Sequence, residues 1–585
     1  MLESMRLSRK FVVPLLLMSL LLMPSWLVLT EPYVVKPSPL KLFEAIHPTY
    51  YVGLVAIVIS IILLSTKEWK IFKSPLNPYL ATAILTTLYL QLPPIALFEH
   101  PVSDHTHHLV PAFYMLREGN INMPNYPHPE TVTPQLFASI LLMIVSPPSP
   151  LENLHRISLF MLTLLITLCI YIFMRRLGAN ERYAMMSSAL NMGLIMGGPY
   201  MFSRQAYATP LWIMLVLFVF IASKERRVGY SILAIVTMLA FVMSDPAHIL
   251  LTIIPLMLFV IMWRGFSLLG KVDYHRFRNP WIFVLSMSVA FLFWIINRHL
   301  LFPLELWRIA KTMWNIFIKS ISELTLPTQE YFAYEGRFTA LTYNNYYMIL
   351  YRIRIVLVAL SVILPVVLLV YIFLNRKIRP IIFQCETIYL TSFFAVTAIV
   401  LITRGYGFTY APWAAMTMFT LLSFINRSEK PNRRLHKASK VFVASFILLV
   451  ILAAPHIGHS GGRVRLPAVD VHAVLWLGEY SSSSQFFLIA PGFGRWLGEI
   501  AYVLGGHHII IGNYFFYERL TVESINKLAQ YDAVIMPRSA LMHFEKTSAC
   551  YSAPEMFRLL ICRLNDSHNL IYNSGNPFVT IWLRD

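Results

Sequence analysis

Residues 155–190 read HRISLFMLTLLITLCIYIFMRRLGANERYAMMSSAL. Ile157 to Met174 is a run of 18 residues without a charge, closed by Arg175-Arg176; a short Leu-Gly-Ala-Asn link, Glu181-Arg182 and a second apolar run from Ala184 follow. Hydrocarbon supplies no water to an exposed backbone, so a spanning helix needs about 20 mostly apolar residues. The stretch therefore reads as two spans turning at a basic loop. Working outward with the same ruler, the chain holds about 13 such segments, beginning near Phe11, Tyr51, Leu76, Ile157, Ala184, Thr209, Val228, Ile249, Pro280, Ile355, Ile381, Ala411 and Val441. The first follows Arg6, Arg9 and Lys10 and lacks a clear small-residue cleavage site, so it reads as an uncleaved helix in preference to a signal peptide.

Composition agrees. Of 585 residues, 57% are hydrophobic and 13% charged, with mean hydropathy +0.61. Soluble domains carry roughly 45–50% apolar and about 25% charged residues. A disordered chain, a disulfide scaffold and an ordinary cytosolic enzyme are excluded, and four cysteines give no framework. The net charge of +19 is not spread evenly. Alternate loops, beginning with the N-terminus and including Lys67/Lys70/Lys73, Arg175/Arg176/Arg182 and Lys224/Arg226/Arg227, hold 25 basic residues against six acidic ones. Under the positive-inside rule these loops are cytoplasmic. The N-terminus lies inside, the C-terminus outside, and the positive charge signals topology, with no nucleic-acid partner implied.

Three sizeable pieces then face outward: residues 99–156, residues 298–347 and the tail. The expected fold class is an α-helical polytopic membrane protein with a small extracytoplasmic α/β domain, divided at 1–456 and 457–585. In the tail, QFFLIA, HHIIIG and DAVIMP read as strands alternating with helices, and HNLIY and FVTIWL read as a hairpin joined through Asn573-Ser574-Gly575-Asn576. The PGFGRW link lacks both GxGxxG and a Walker lysine and does not read as a phosphate loop. Cys550 and Cys562 are both outside and either pair or stay free.

The first outer piece carries the chemistry. Glu99, His100, Asp104, His105, His107 and His108 follow directly on a span. Beyond the Pro-broken NYPHPETVTP, the apolar run from Gln135 to Ser146 is too short to cross and suits a half-inserted or interfacial helix. One carboxylate and three imidazoles in five positions allow a metal reading, but HxHH lacks the i, i+4 spacing of helical zinc ligands, and no metal ligand is assigned. A carboxylate at the water–membrane boundary also suits a general base. The bland reading is a solvated polar loop.

These features resemble the GT-C glycosyltransferases, membrane enzymes that use polyprenyl-phosphate sugars. The likeness runs from Leu76 to Phe220, through the acid in the first outer loop, the YP…P juxtamembrane helix and the span from Arg156 to Arg-Arg-Leu. It continues more loosely into the tail. The family's acidic residue in this loop is a catalytic base or a metal ligand, and Asp104 is the matching position. Two extra N-terminal helices, Asp-His-Thr where the family has Asp-x-Asp or Asp-Glu, and the absence of WWDYG set this chain apart. The absence of WWDYG and the small tail argue against an oligosaccharyltransferase and leave a monosaccharide-transferring or divergent member, with an inactive GT-C-like protein also open.

The resemblance implies a polyprenyl- or dolichyl-phosphate sugar donor and a lipid, glycan or protein acceptor. A magnesium or manganese ion is compatible with it, and no other cofactor is implied. Arginines at the outer face would hold the departing phosphate. Arg404 and Arg352 are preferred, with Arg204 beside them; their alternative is snorkelling to the interface. Asp245 is a second acid that could equally cap the helix after it. Tyr346, within Tyr343–Tyr347, either stacks on a sugar or belongs to an aromatic belt. The competing class is a transporter or flippase, for which internal repeats and mid-membrane charges are expected. The composition favours a prokaryotic, archaeal plasma membrane.

Overall fold

A computed structural model describes residues 11–23, 47–66, 77–97, 132–144, 150–195, 204–225, 227–272, 280–298, 345–404 and 407–428. It also describes five short strands after residue 485 and a few positions at 111–119, 311 and 315. In chain order the helices are α1 (Phe11–Met23), α2 (Pro48–Thr66), α3 (Pro78–Leu97), α4 (Thr133–Ile144), α5 (Pro150–Arg176) and α6 (Glu181–Ile195). Next come α7 (Arg204–Glu225), α8 (Val228–Val242), α9 (Pro246–Leu268), α10 (Trp281–Arg298), α11 (Asn345–Leu374), α12 (Cys385–Arg404) and α13 (Gly407–Ser428). The expected span at Val441 lies outside the described residues.

Lipid-facing surfaces identify the solvent. On α10, Ile282, Leu285, Val289, Leu292, Phe293 and Ile296 are exposed at helical spacing, with Phe293 68% accessible. On α8 the exposed ridge is Val228, Ile232, Val236 and Leu239, and on α11 it is Val356, Ile363, Val367, Val370 and Leu374. Water would penalise apolar ridges of this length, whereas lipid does not. The chain is an integral membrane protein. Among the described residues, three helices, across Pro48–Ser65, Arg204–Glu225 and His248–Leu268, are each long and apolar enough to cross alone. Helices α6 and α8 have 15 residues apiece, a rise of about 22 Å against roughly 30 Å of hydrocarbon. At 30 residues, α11 rises about 45 Å and exceeds it.

Between lipid-bathed helices, close packing and interhelical hydrogen bonds replace the hydrophobic effect as the adhesive. Small residues on α6, Ala184, Ser187, Ser188 and Ala189, are buried, and α6 packs against α3, α5 and α13. The centre is aromatic. Phe393 of α12 stacks on Trp413 of α13 at 4.4 Å, and Trp413 meets Trp212 of α7 edge-on at 5.0 Å. Tyr389 of α12 donates to the carbonyl of Val216 at 2.8 Å.

The two N-terminal helices are fastened to α3 by one interlock. The Tyr89 hydroxyl donates to the Ser19 carbonyl at 2.6 Å, and the Ser19 hydroxyl donates to the Gly53 carbonyl at 3.1 Å. Tyr50 donates to the Tyr89 carbonyl at 2.9 Å and stacks on its ring at 5.5 Å. The Tyr89 ring and hydroxyl occupy the space where a β-carbon on residue 53 would stand. Helix α1 is thereby part of the bundle, with Val12 and Leu16 in its core.

Several boundaries differ from the sequence expectation, two of them after α10. The segment expected from Ile381 begins instead with a 3₁₀ turn, Arg379–Phe383, and its α-helix starts at Cys385. Pro380 favours a new helix start there, and Ile381 is buried with Ile372, Ile378, Leu421 and Phe424. Tyr346, expected in the second outer loop, lies in the first turn of α11.

The strands are β1 (Phe486–Ile489), β2 (Ile509–Gly512), β3 (Ala533–Met536), β4 (Asn569–Asn573) and β5 (Thr580–Leu583), in the order β2-β1-β3-β5-β4. β1 is parallel to both β2 and β3, while β5 is antiparallel to β3 and β4. Parallel neighbours cannot be joined by a tight turn, which agrees with the long intervals between the first three strands. The helices expected in those intervals, PGFGRW, Cys550 and Cys562 lie outside the described residues.

Candidate functional site

Helix α4 organises the end of the bundle that the charge pattern puts outside. It spans Thr133–Ile144, where the sequence suggested Gln135–Ser146. The earlier start has a cause, since Pro134 is tolerated in a first helical turn; residues 145–149 lie outside the described residues. The N–H groups of Val132 and Thr133 both donate to the Met243 carbonyl, at 2.8 and 3.2 Å, and the Thr133 hydroxyl donates to Ala240 at 3.2 Å. These are carbonyls at the end of α8, which its own helix cannot satisfy. Ala138, Leu141 and Leu142 pack with Leu162 of α5 and Ala206 of α7, and Phe137 meets Tyr207 at 5.1 Å. The opposite face, Leu136, Ile140, Met143 and Ile144, is exposed and wholly apolar. A 12-residue helix with that face is compatible with a half-inserted or interfacial position.

Asp245 stands where α4 is anchored, two residues after Met243 and directly before α9. Pro246 is the first helical residue, so Asp245 occupies the N-cap and His248 the third position. The Asp245 carboxylate accepts from His248 Nδ1 at 2.8 Å, both side chains being almost fully buried. The imidazole is boxed by Trp212, edge-on at 5.3 Å, and Phe241. The aromatic stack of the core thus ends on this acid–imidazole pair. Asp245 stands at the N-cap position and its carboxylate pairs with the His248 side chain. His248 was passed over in the sequence. The signal was there in Asp-Pro-x-His, the spacing that places N-cap and third-position side chains face to face.

Arg204 is the first residue of α7 and is half-buried, two positions before Ala206 in the α4 cluster. Helix α4 therefore links the helix ends that carry Arg204 and Asp245. Arg352 lies in the third turn of α11 and Arg404 ends α12. Both of those helices pack against α13. For Arg352, Arg404 and Tyr346 only the helical backbone is described. Asp104 and the histidines around it lie outside the described residues. Among the described residues, no group of three His, Cys, Asp or Glu side chains is placed to hold a metal ion.

A polar seam runs between α3, α5 and α6. Thr87 and Thr167 share a hydrogen bond of 2.6 Å, and Ser188 donates to the Thr167 carbonyl at 3.3 Å. One turn further along, Gln91 of α3 and Asn191 of α6 are buried as well. The interior is polar towards this end and aromatic at its centre.

No protein-family model and no curated protein matches the sequence. Among solved structures, the chain is similar to ArnT from Cupriavidus metallidurans bound to undecaprenyl phosphate, at 12% identity and TM-score 0.45 over 86% of this chain and 97% of that one. It is also similar to the same protein in its apo state, at 9% identity and TM-score 0.48 over 86% and 96% of the two chains.

Proposed function

We propose that this chain is a GT-C-like membrane glycosyltransferase that moves a sugar from a polyprenyl-phosphate carrier to an acceptor on the extracytoplasmic side. The observation that carries the reading is α4. It is a half-length helix with an apolar outer face, and it binds the α8–α9 turn to the start of α7. A lipid-linked donor needs such a place, where a polyprenyl chain stays in hydrocarbon while its phosphate and sugar reach polar groups. Asp104 lies in the sequence between α3 and α4.

In this mechanism Asp104 accepts the proton of the acceptor hydroxyl as that oxygen attacks the anomeric carbon. The bond from that carbon to the phosphate oxygen breaks, and the carrier leaves as a phosphate anion. Arg204, Arg352 and Arg404 stabilise the anion through charge-assisted hydrogen bonds. Tyr346 contacts the sugar, and Asp245 acts through His248 to fix the floor of the site. Residues 1–456 form the catalytic membrane domain and 457–585 an extracytoplasmic domain that covers or docks onto it. The setting is an archaeal plasma membrane.

The test is sugar transfer by purified protein, supplied with polyprenyl-phosphate sugars and lipid or peptide acceptors. Removing a general base costs roughly 10²–10⁴-fold in rate. Asp104→Asn should lose activity in that range while keeping the helical signal of the native chain. An unchanged rate removes Asp104 from the chemistry. Transport of the donor across proteoliposomes without any transfer replaces the enzyme with a flippase.

A further inference from the structure

At the opposite end of the bundle, from which the basic loops project, four helix ends border an open cavity of about 570 Å³. Its wall includes Arg176 at the end of α5, Lys224 at the end of α7, Arg427 at the end of α13, and Gln384 and Glu386 at the start of α12. We propose that this cavity binds the phosphate group of an anionic ligand, an acidic phospholipid of the adjoining leaflet or a small phosphate compound.

The charge decides the class of ligand. Three cations face one carboxylate. Lys224 Nζ is 2.5 Å from Glu386, so that pair largely neutralises itself. Arg427 donates to the Gly178 carbonyl, in a turn where Gly178 has φ +87° and closes the end of α5. That bond uses one of five guanidinium donors, and Arg427 lines the cavity. Arg176 is exposed and makes no ion pair among the described residues. Three helix C-termini and one N-terminus meet here, together worth about minus one elementary charge. The side-chain excess of two outweighs them. An arginine fork matches a phosphate bidentately, and basic pockets between helices at this face suit anionic headgroups.

The experiment titrates the full-length protein in detergent with phosphatidylglycerol, with phosphatidylcholine and with inorganic phosphate, reading bound adducts by native mass spectrometry. Phosphatidylglycerol should bind in preference to phosphatidylcholine, and Arg176→Gln should weaken it about fivefold, the effect of one basic residue at an anionic surface. Arg176→Lys should recover most of the affinity. Arg227→Gln is the control, because Arg227 lies at the same end, pairs with Glu225 at 3.5 Å and does not line the cavity. Displacement of the lipid by inorganic phosphate assigns the site to soluble phosphate compounds too, and failure to displace assigns it to the lipid. Equal losses in Arg176→Gln and Arg227→Gln, or no preference between the two lipids, would overturn the proposal.

Discussion

Gly53→Ala tests the interlock of α1, α2 and α3 with a single methyl group. In an unconstrained helix the change is favourable by about 1 kcal/mol, because alanine surrenders less backbone entropy than glycine. At position 53 the new β-carbon falls on the Tyr89 hydroxyl and ring, leaving no room for both. Tyr89 is held from two sides, by its bond to the Ser19 carbonyl and by Tyr50 stacked on its ring. Forcing it aside costs about 1–3 kcal/mol of overpacking. The lost interhelical hydrogen bond adds about 1 kcal/mol. The unfavourable terms exceed the propensity gain, and the net expectation is destabilisation by about 1–3 kcal/mol. Gly265→Ala supplies the contrast, since nothing lies within 4 Å of its β-carbon position. That variant should be neutral or up to about 1 kcal/mol more stable. The assay is reversible unfolding in mixed detergent and SDS micelles, followed by far-ultraviolet circular dichroism. In a Tyr89→Ala background the penalty at Gly53 should vanish. If Gly53→Ala and Gly265→Ala shift the midpoint in the same direction, the interlock is wrong.

Further outcomes follow from the two ends of the bundle. Asp245→Ala leaves a buried imidazole without its carboxylate and should cost about 1–3 kcal/mol of stability, whereas Asp245→Asn keeps a hydrogen-bond acceptor and should cost less; the same unfolding assay separates them. Lys224 and Glu386 are partly exposed, with side-chain accessibilities of 45% and 16%. A double-mutant cycle between them should give a coupling below about 1 kcal/mol that shrinks as salt is added, and a larger, salt-insensitive value would contradict the exposed geometry.

Much of the membrane architecture is written locally. Apolar runs bounded by Arg and Lys placed the starts of α5 to α10 within several residues, because hydrocarbon filters each segment on its own composition. Helix α4 was legible for a similar reason, as twelve apolar residues between prolines cannot cross and cannot be left in water. The strand cores FFLI, IIIG and AVIM were equally plain, being short apolar runs flanked by turn residues. What the sequence concealed is pairing across distance. Nothing near Gly53 announces Tyr89, and Lys224 gives no sign of Glu386, 162 residues later. The onset of α12 was misplaced because hydropathy does not register the 3₁₀ turn that Pro380 introduces. His248 belongs to a different category, since its partner is three residues away and the capping arithmetic was available. The roles assigned to Asp104, Arg352 and Arg404 rest on residue type and position in the chain, because side-chain convergence is a property of tertiary structure.

The anchoring of α4 on the end of α8 also orders events during synthesis. Thr133 and its partner Ala240 are 107 residues apart. At a ribosomal rate of about 5–20 residues per second, α4 waits roughly 5 to 20 s before the carbonyls that receive it exist. During that interval α5, α6 and α7 are already made. The outer end of the bundle is therefore completed only after α8 has emerged. A nascent chain stalled before residue 240 would carry α1 to α7 and still lack the carbonyls on which α4 is anchored.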